Sequence, residues 1–168
     1  MQTVKLLDDY VKKGYVLHGS RKRFDVLIPH RKEKLHSSTR TLRAVYATSI
    51  PLIALFKAVL NAPIMPGGRG MIGWKFDHEL NPYFRVTPNY IRHNAFSSGF
   101  VYVLRKEKFK KYNKILCEYY SENPVVPDFV INVKKNDFLL NANISIWSLN
   151  EVIKAGLHNK EGIALFGF

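Results

Sequence analysis

Three side chains that could do chemistry together stand at the ends or in the middle of predicted strands. His18 closes the apolar run YVL and is followed by Gly19 and Ser20, so an ionisable ring, a flexible backbone unit and a hydroxyl stand together. Tyr46 follows in VYATS, and Glu118 lies in ILCEYYS. Imidazole, phenol and carboxylate groups can all form hydrogen bonds with a ligand. The alternative for His18 is a histidine that merely ends a strand, and for Tyr46 ordinary core packing.

The elements that would position these residues follow from the hydrophobic pattern. Apolar residues at helical spacing before Gly14 predict a first helix. Ser49 as N-cap and the early Pro51 predict a buried helix to about residue 61. The capping-box spacing of Ser148 and Glu151 predicts a last helix to about residue 157. Strands are predicted at 14–18, 24–28, 44–48, 100–104, 115–121, 129–133 and 144–147.

Between these elements the sequence predicts loops at 30–42 and, because of its prolines and glycines, at 62–73. A turn or short helix is predicted at 106–111. The strand-rich second half favours an α+β fold over a regular alternation of strands and helices. At 168 residues the chain fits one domain, 1–168.

Composition narrows the compartment and the chemistry. Cys117 is the single cysteine, which excludes an intrachain disulfide, fits a reducing compartment and is expected to be buried and inert. The first 13 residues are polar and carry no signal pattern, and the apolar run Ile50–Leu60 is too short to cross a bilayer. These features predict a soluble, cytoplasmic protein with no membrane partner. The six histidines show no spacing suited to zinc, so no metal is expected.

The charge is strongly positive and clustered. The chain has 26 Lys and Arg against 13 Asp and Glu, a net charge of +13. One basic cluster lies within residues 20–45 and a second within 104–114. Such clusters attract polyanions and phosphorylated small molecules, although a solubilising surface would have the same composition.

The order of these motifs resembles the ADP-ribosyltransferase fold, specifically its His-Tyr-Glu class, which includes poly(ADP-ribose) polymerases and diphtheria-type toxins. The matching segments are His18-Gly19-Ser20 at a strand end, Tyr46 with Ala47-Thr48-Ser49 leading into a helix, and Glu118 in a later strand. The pattern covers residues 15 to about 133. The resemblance implies two small packed, mostly antiparallel sheets with flanking helices, and NAD as the substrate.

The resemblance also implies a role for each residue. In that family the histidine bonds a ribose hydroxyl, the glycine backbone binds the nicotinamide carboxamide, and the tyrosine stacks on the nicotinamide. The glutamate holds the ribose 2′-hydroxyl and favours the positive charge that develops as nicotinamide leaves. The implied catalytic residues are thus His18, Tyr46 and Glu118, expected to line one pocket. The implied NAD-binding residues are His18, Gly19, Ser20, Arg21, Tyr46, Ser49 and Phe56.

The sequence departs from the family pattern at two positions and offers two glutamates at a third. Ala54 stands where family members often place a serine, so Gly19 alone or Ser49 would hold the carboxamide. Lys57 stands where a second stacking aromatic is usual, and its neighbour Phe56 is the candidate substitute. Glu122 rivals Glu118, but it lies beside an Asn-Pro pair that is typical of a turn.

The resulting expectation is an NAD-dependent ADP-ribosyltransferase that modifies a nucleic-acid or protein acceptor. One alternative is a non-enzymatic basic module that binds nucleic acid. Another is a pseudo-enzyme that binds NAD or ADP-ribose without turnover. A toxin or phage-conflict role would follow only from the family. Because both basic clusters adjoin predicted site strands, they are expected to rim the same cleft.

Overall fold

The chain folds as an α+β protein with two mostly antiparallel sheets, which confirms the predicted fold class. The computed structural model describes residues 2–29, 31–34, 41–64, 70–113, 117–154 and 166–167. The helices are α1 (Gln2–Lys12), α2 (Pro51–Val59), α3 (Pro88–Arg92), α4 (Lys135–Leu139) and α5 (Leu149–Lys154). The strands are β1 (Tyr15–Ser20), β2 (Arg31–Lys34), β3 (Thr41–Thr48), β4 (Ile72–Phe76), β5 (Pro82–Val86), β6 (Gly99–Arg105), β7 (Lys110–Asn113), β8 (Glu118–Ser121), β9 (Phe129–Val133) and β10 (Asn143–Ile146).

The larger sheet has the strand order β7-β8-β3-β1-β6-β9, and β2 also pairs with β3. β1 pairs with β6 without interruption from Tyr15, opposite Arg105, to Ser20, opposite Phe100. On its other side β1 pairs with β3 only at Leu17 and Thr48. The two strands therefore part after that pair, and the sheet forks along the rest of β1.

The smaller sheet has the order β10-β5-β4, with β5 and β10 parallel and β4 and β5 antiparallel. Helix α2 contacts both sheets. It packs on β1 and β6, and its Phe56 ring lies 4.9 Å from the Phe84 ring of β5 and 6.3 Å from the Trp74 ring of β4. Because most of its side chains are buried, α2 forms the centre of the main hydrophobic core.

Two glycines allow α2 to lie directly on the larger sheet. A Cβ on Gly19 would stand 1.9 Å from the carbonyl oxygen of Ala54, and one on Gly99 would stand 2.0 Å from that of Ala58. Neither distance is compatible with a side chain, so the helix backbone occupies the space that a Cβ would need. The seam of two glycines and two alanines fixes the height of α2 above β1 and β6.

The structure confirms several predicted elements, with shifted ends. Strands β6 and β9, the helix before Gly14 and the capping box of α5 are present; the Ser148 amide donates to Glu151 at 2.9 Å. Gly14 has φ +89°, as a residue ending a helix requires. Strand β1 continues beyond His18, and the N-cap of α2 is Ile50 rather than Ser49. Residues 155–157 of the predicted last helix lie outside the described residues.

Other predicted elements are wrong. The 24–28 segment is no strand, because only Leu27 pairs, in a single bridge with Val125. Within the predicted loop 30–42, Arg31–Lys34 forms β2 and β3 begins at Thr41; residues 35–40 lie outside the described residues. The predicted Gly-rich loop 62–73 extends too far, because β4 already begins at Ile72. Its residues 65–69 also lie outside the described residues. In the part of the chain that the structure describes, no helix is both long and apolar enough to span a membrane.

Candidate functional site

A cleft of about 830 Å³ opens where β1 and β3 part. Its walls come from the end of β1, the turn that follows it, the middle of β3, α2 and the first half of β4. Six of the residues that the resemblance assigned to NAD line it: His18, Gly19, Ser20, Arg21, Tyr46 and Phe56. The fork in the larger sheet is thus the place where most of the predicted site residues meet.

A hydrogen bond between His18 and Tyr46 bridges the fork. The Nδ1 of His18 lies 2.7 Å from the main-chain oxygen of Tyr46. A carbonyl oxygen only accepts, so Nδ1 carries the proton, and in the neutral ring Nε2 is then the acceptor nitrogen. The ring thus links the two strands where they no longer pair. It also fixes which ring nitrogen can accept a hydrogen bond from a ligand hydroxyl.

The Tyr46 ring is held in place from several sides. It is 9% exposed, its hydroxyl donates to the main-chain oxygen of Leu42 at 3.2 Å, and its ring meets that of Tyr112 edge-on at 5.8 Å. A preorganised ring costs little conformational entropy when a flat ligand stacks on it. Tyr46 can therefore serve as a stacking surface at the wall of the cleft.

Each of the three residues after His18 lines the cleft and also makes a contact that stabilises the fold. The Cα of Gly19 is pressed against α2, so its lack of a side chain is already required by the fold. The Ser20 hydroxyl accepts a hydrogen bond from the Lys22 amide at 3.2 Å and so shapes the turn. The Arg21 guanidinium donates to the side-chain oxygen of Asn61. This bond holds one cation at the wall of the cleft.

The cleft carries only positive formal charge along its described lining. Arg21, Lys22 and Lys57 contribute cations, and no described carboxylate lines it. The Lys57 ammonium lies 4.9 Å from the centre of the Trp74 ring, a cation–π contact. Cations beside aromatic walls suit a ligand that has both phosphates and flat rings.

Two aromatic residues of the cleft wall, Phe56 and Trp74, differ in how far they are buried. Phe56 is fully buried in the core, so it contributes the floor of the cleft rather than an open stacking face. Trp74 of β4 is half-buried and lines the cleft, and no motif in the sequence predicts a role for it. The alternation of Ile72, Trp74 and Phe76 was the signal for a strand there. Its place beside α2 depends on long-range packing.

The mouth of the cleft is formed by the turn after β1. The side chains of Phe24, Val26 and Ile28 line it and remain exposed, with Ile28 62% exposed. The buried Tyr102 of β6 holds this turn: its hydroxyl donates to the Lys22 oxygen and accepts from the Phe24 amide, both at 2.8 Å. Burial raises the pKa of Tyr102, so the phenol stays protonated and able to donate.

Glu118 lies next to the fork and does not line the described cleft. It is half-buried in β8 and pairs with Thr48, which itself pairs with Leu17 at the base of the fork. From strand spacing, its Cα stands roughly 10 Å from β1. Side chains of cross-strand partners share a face of the sheet, so Glu118 projects to the same side as Tyr46, two residues before Thr48.

The other glutamate and Ser49 are also placed apart from the cleft lining. Glu122 follows the end of β8, and its carboxylate pairs with the Lys110 ammonium at 3.3 Å. Ser49 donates its amide to the Cys117 oxygen at 3.1 Å. Cys117 has φ +51° and is half-exposed, so the expectation of a buried cysteine inside a regular strand is wrong.

The second basic cluster does not rim the cleft. Three of its described members contact residues elsewhere: Arg105 pairs with Asp128 at 2.8 Å, Lys110 pairs with Glu122, and the Lys106 ammonium lies 5.2 Å from the centre of the Tyr119 ring. Of the described residues after Leu104 in the chain, none lines the cleft. The expectation that both clusters share one cleft mouth is therefore wrong for the second cluster.

Among the described residues no group of three histidine, cysteine or acidic side chains could hold a metal ion. Comparison of the chain with family models, with curated proteins and with solved structures found no match.

Proposed function

We propose that the chain binds NAD in the forked cleft and transfers its ADP-ribose to a macromolecular acceptor. The single observation that carries the proposal is the meeting of His18, Gly19 and Tyr46 in one cleft whose charged lining is cationic. NAD needs cations for its pyrophosphate, an acceptor or donor for ribose hydroxyls, and a flat surface for nicotinamide. The described lining supplies each of these groups.

The reaction divides into bond breaking and bond making at the ribose C1′. The bond from C1′ to the nicotinamide nitrogen breaks, and its electron pair stays with nicotinamide. The acceptor's nucleophilic atom forms the new bond to C1′ and releases its proton to solvent. The transition state resembles an oxocarbenium ion, as in glycoside cleavage, so a nearby carboxylate lowers the barrier.

The residues would divide this work as follows. His18, with Nε2 as acceptor, would accept a hydrogen bond from a ribose hydroxyl, and Tyr46 would stack on the nicotinamide. Arg21 and Lys57 would neutralise the pyrophosphate. Glu118, on the strand beside Tyr46, would hold the 2′-hydroxyl and stabilise the charge at C1′.

Nicotinamide release from NAD tests this function, with and without cell extract as a source of acceptor. Glu118→Gln keeps the size and hydrogen bonding of the side chain but removes its charge, so the rate should fall by about 10²- to 10³-fold while NAD affinity changes far less. Glu122→Gln is the matched control, since Glu122 pairs with Lys110. Equal activity of wild type and Glu118→Gln would contradict the role of Glu118. Loss of activity in Glu122→Gln alone would move the role to that residue.

A second candidate function is NAD or ADP-ribose binding without turnover. One observation favours it: Glu118 does not line the described cleft, whereas the groups that would bind NAD do. Wild-type protein that binds NAD yet releases no nicotinamide, with or without extract, would select this second function.

A further inference from the structure

The outer part of the cleft has a composition that NAD binding does not explain. Phe24, Val26, Ile28 and Ile72 all line the cleft and are each 39% exposed or more. Large apolar side chains that stay exposed together at a cleft are typical of a surface that a partner covers. The inner residues of the cleft, such as Tyr46, are by contrast nearly buried.

The same mouth carries a dense positive charge. We call residues Arg21, Lys22, Arg23 and Phe24 the rim turn. Its three cations are consecutive, and Lys22 and Arg23 are exposed. Neither Arg23 nor the neighbouring acid, Asp25, lines the described cleft, so Arg21 and Lys22 are the cations of the rim turn at the cleft wall. A partner of the rim turn is therefore anionic as well as able to cover a flat apolar ring.

Hydrogen bonds hold the backbone at and beside the rim turn. The buried hydroxyl of Tyr102 bonds both the Lys22 oxygen and the Phe24 amide, and Leu27 exchanges two main-chain hydrogen bonds of 2.9 Å with Val125. These contacts present the Phe24 ring and the basic side chains from a fixed backbone. A preorganised binding surface loses little entropy when it binds.

We infer that the acceptor of the proposed transfer is a single-stranded nucleic acid bound on the rim turn, an inference that rests on the proposed function. Alternating phosphates and bases match a turn that carries three cations beside an exposed aromatic ring. Trp74, on the other wall, offers a second ring to a base. An acidic peptide would satisfy the cations, but it brings no flat rings for Phe24 and Trp74. The net charge of +13 also favours a polyanion.

The transfer needs no reactant besides NAD and the nucleic acid. A nucleophilic nitrogen or oxygen of the nucleic acid attacks C1′ of NAD as the bond to nicotinamide breaks. Nicotinamide leaves with the electron pair of that bond, and the acceptor atom loses one proton to solvent. The products are nicotinamide and an ADP-ribosylated strand.

Fluorescence anisotropy with labelled 20-nucleotide oligo(dT) and oligo(U) tests the binding surface. With two phosphate contacts, from Lys22 and Arg23, affinity should fall about sevenfold between 50 and 200 mM salt, because Arg21 is assigned to the NAD pyrophosphate. Phe24→Ala should weaken binding about tenfold by removing a stacking ring, and Phe24→Leu, which keeps the apolar volume, should weaken it nearly as much. Lys22→Glu should weaken binding at low salt, whereas Lys111→Glu, an equal charge change on β7, should leave it within about twofold.

Transfer of label from ³²P-NAD distinguishes this inference from the proposed function. Label on the oligonucleotide that is reduced by Phe24→Ala supports the inference. Label on protein in cell extract with none on nucleic acid overturns the inference and leaves the proposed function standing. Oligonucleotide binding without any effect of NAD on the protein overturns both, because the cleft would then be a nucleic-acid-binding surface alone. Equal binding by wild type, Phe24→Ala and Lys22→Glu also overturns the assignment of the rim turn.

Discussion

The two edges of β1 differ in how completely they pair with a neighbouring strand. Along one edge β1 pairs with β6 over its whole length, from Tyr15 to Ser20. Along the other edge it pairs with β3 at Leu17 alone. An edge without a partner leaves main-chain groups to be satisfied in another way, and here the His18 ring supplies one such bond across the fork. The fully paired edge of β1 therefore builds the core, while the interrupted pairing creates the cleft.

The largest effect is expected from Gly99→Ala, which changes the first residue of β6, the strand that pairs with β1 along its whole length. A Cβ at this position would stand 2.0 Å from the Ala58 oxygen, and only a shift of α2 could relieve the clash. We expect the free energy of unfolding to fall by about 3 kcal/mol or more. Gly73→Ala is the matched control, because its nearest neighbour would be a Trp147 ring carbon at 3.8 Å. Urea denaturation measures both, and equal stability of the two variants would refute the tight seam.

A smaller effect is expected from Tyr102→Phe, which removes the two hydrogen bonds between β6 and the rim turn. The variant leaves the Phe24 amide and the Lys22 oxygen without the hydroxyl they share, at a cost of about 1–2 kcal/mol. Hydrogen exchange should accelerate at the Phe24 amide. The Leu27 amide is the internal control, since it bonds the Val125 oxygen. Unchanged exchange at Phe24 would show that the rim turn does not depend on Tyr102.

The smallest effect concerns the second sheet and depends on pH. Arg85, 2.6 Å from Glu151, and the Ser148 amide and hydroxyl hold the pKa of Glu151 at about 2, below its ordinary 4.5. A lowered carboxyl pKa contributes stability that is complete above pH 4.5 and is lost as the pH falls toward 2. The difference in Tm between wild type and Glu151→Gln should therefore close over that interval. A difference that is constant down to pH 2 would contradict the ion pair. NAD affinity should be the same in both proteins.

The sequence was sufficient for elements whose signals are local. The apolar runs of β1, β6 and β9 and the capping box of α5 fix those elements through side chains close in the chain. The prediction of a strand at 24–28 was wrong because the alternating apolar residues of this segment face the cleft mouth. Only Leu27 is bridged to another segment. The basic strand β2 was missed because its pairing with β3 uses main-chain groups, which any sequence supplies.

For the candidate site, motif residues could be named but their surroundings could not. His18 and Tyr46 sit at strand positions that the pattern made visible. Trp74 joins them through the packing of β4 beside α2, a contact that no local pattern encodes. The clamp on the rim turn by Tyr102 likewise joins residues nearly eighty positions apart. The ADP-ribosyltransferase-like fold and the role of Glu118 stay predictions.

Thermal unfolding with increasing NAD tests most directly whether the fork between β1 and β3 is a nucleotide site. A ligand bound only by the native state stabilises it, so wild-type Tm should rise by roughly 5–10 °C at an NAD concentration about a hundred times Kd. Tyr46→Phe keeps the ring and should retain the shift, whereas Tyr46→Ala should lose most of it. Well-folded wild-type protein with no shift at millimolar NAD, or an equal shift in Tyr46→Ala, would contradict the account.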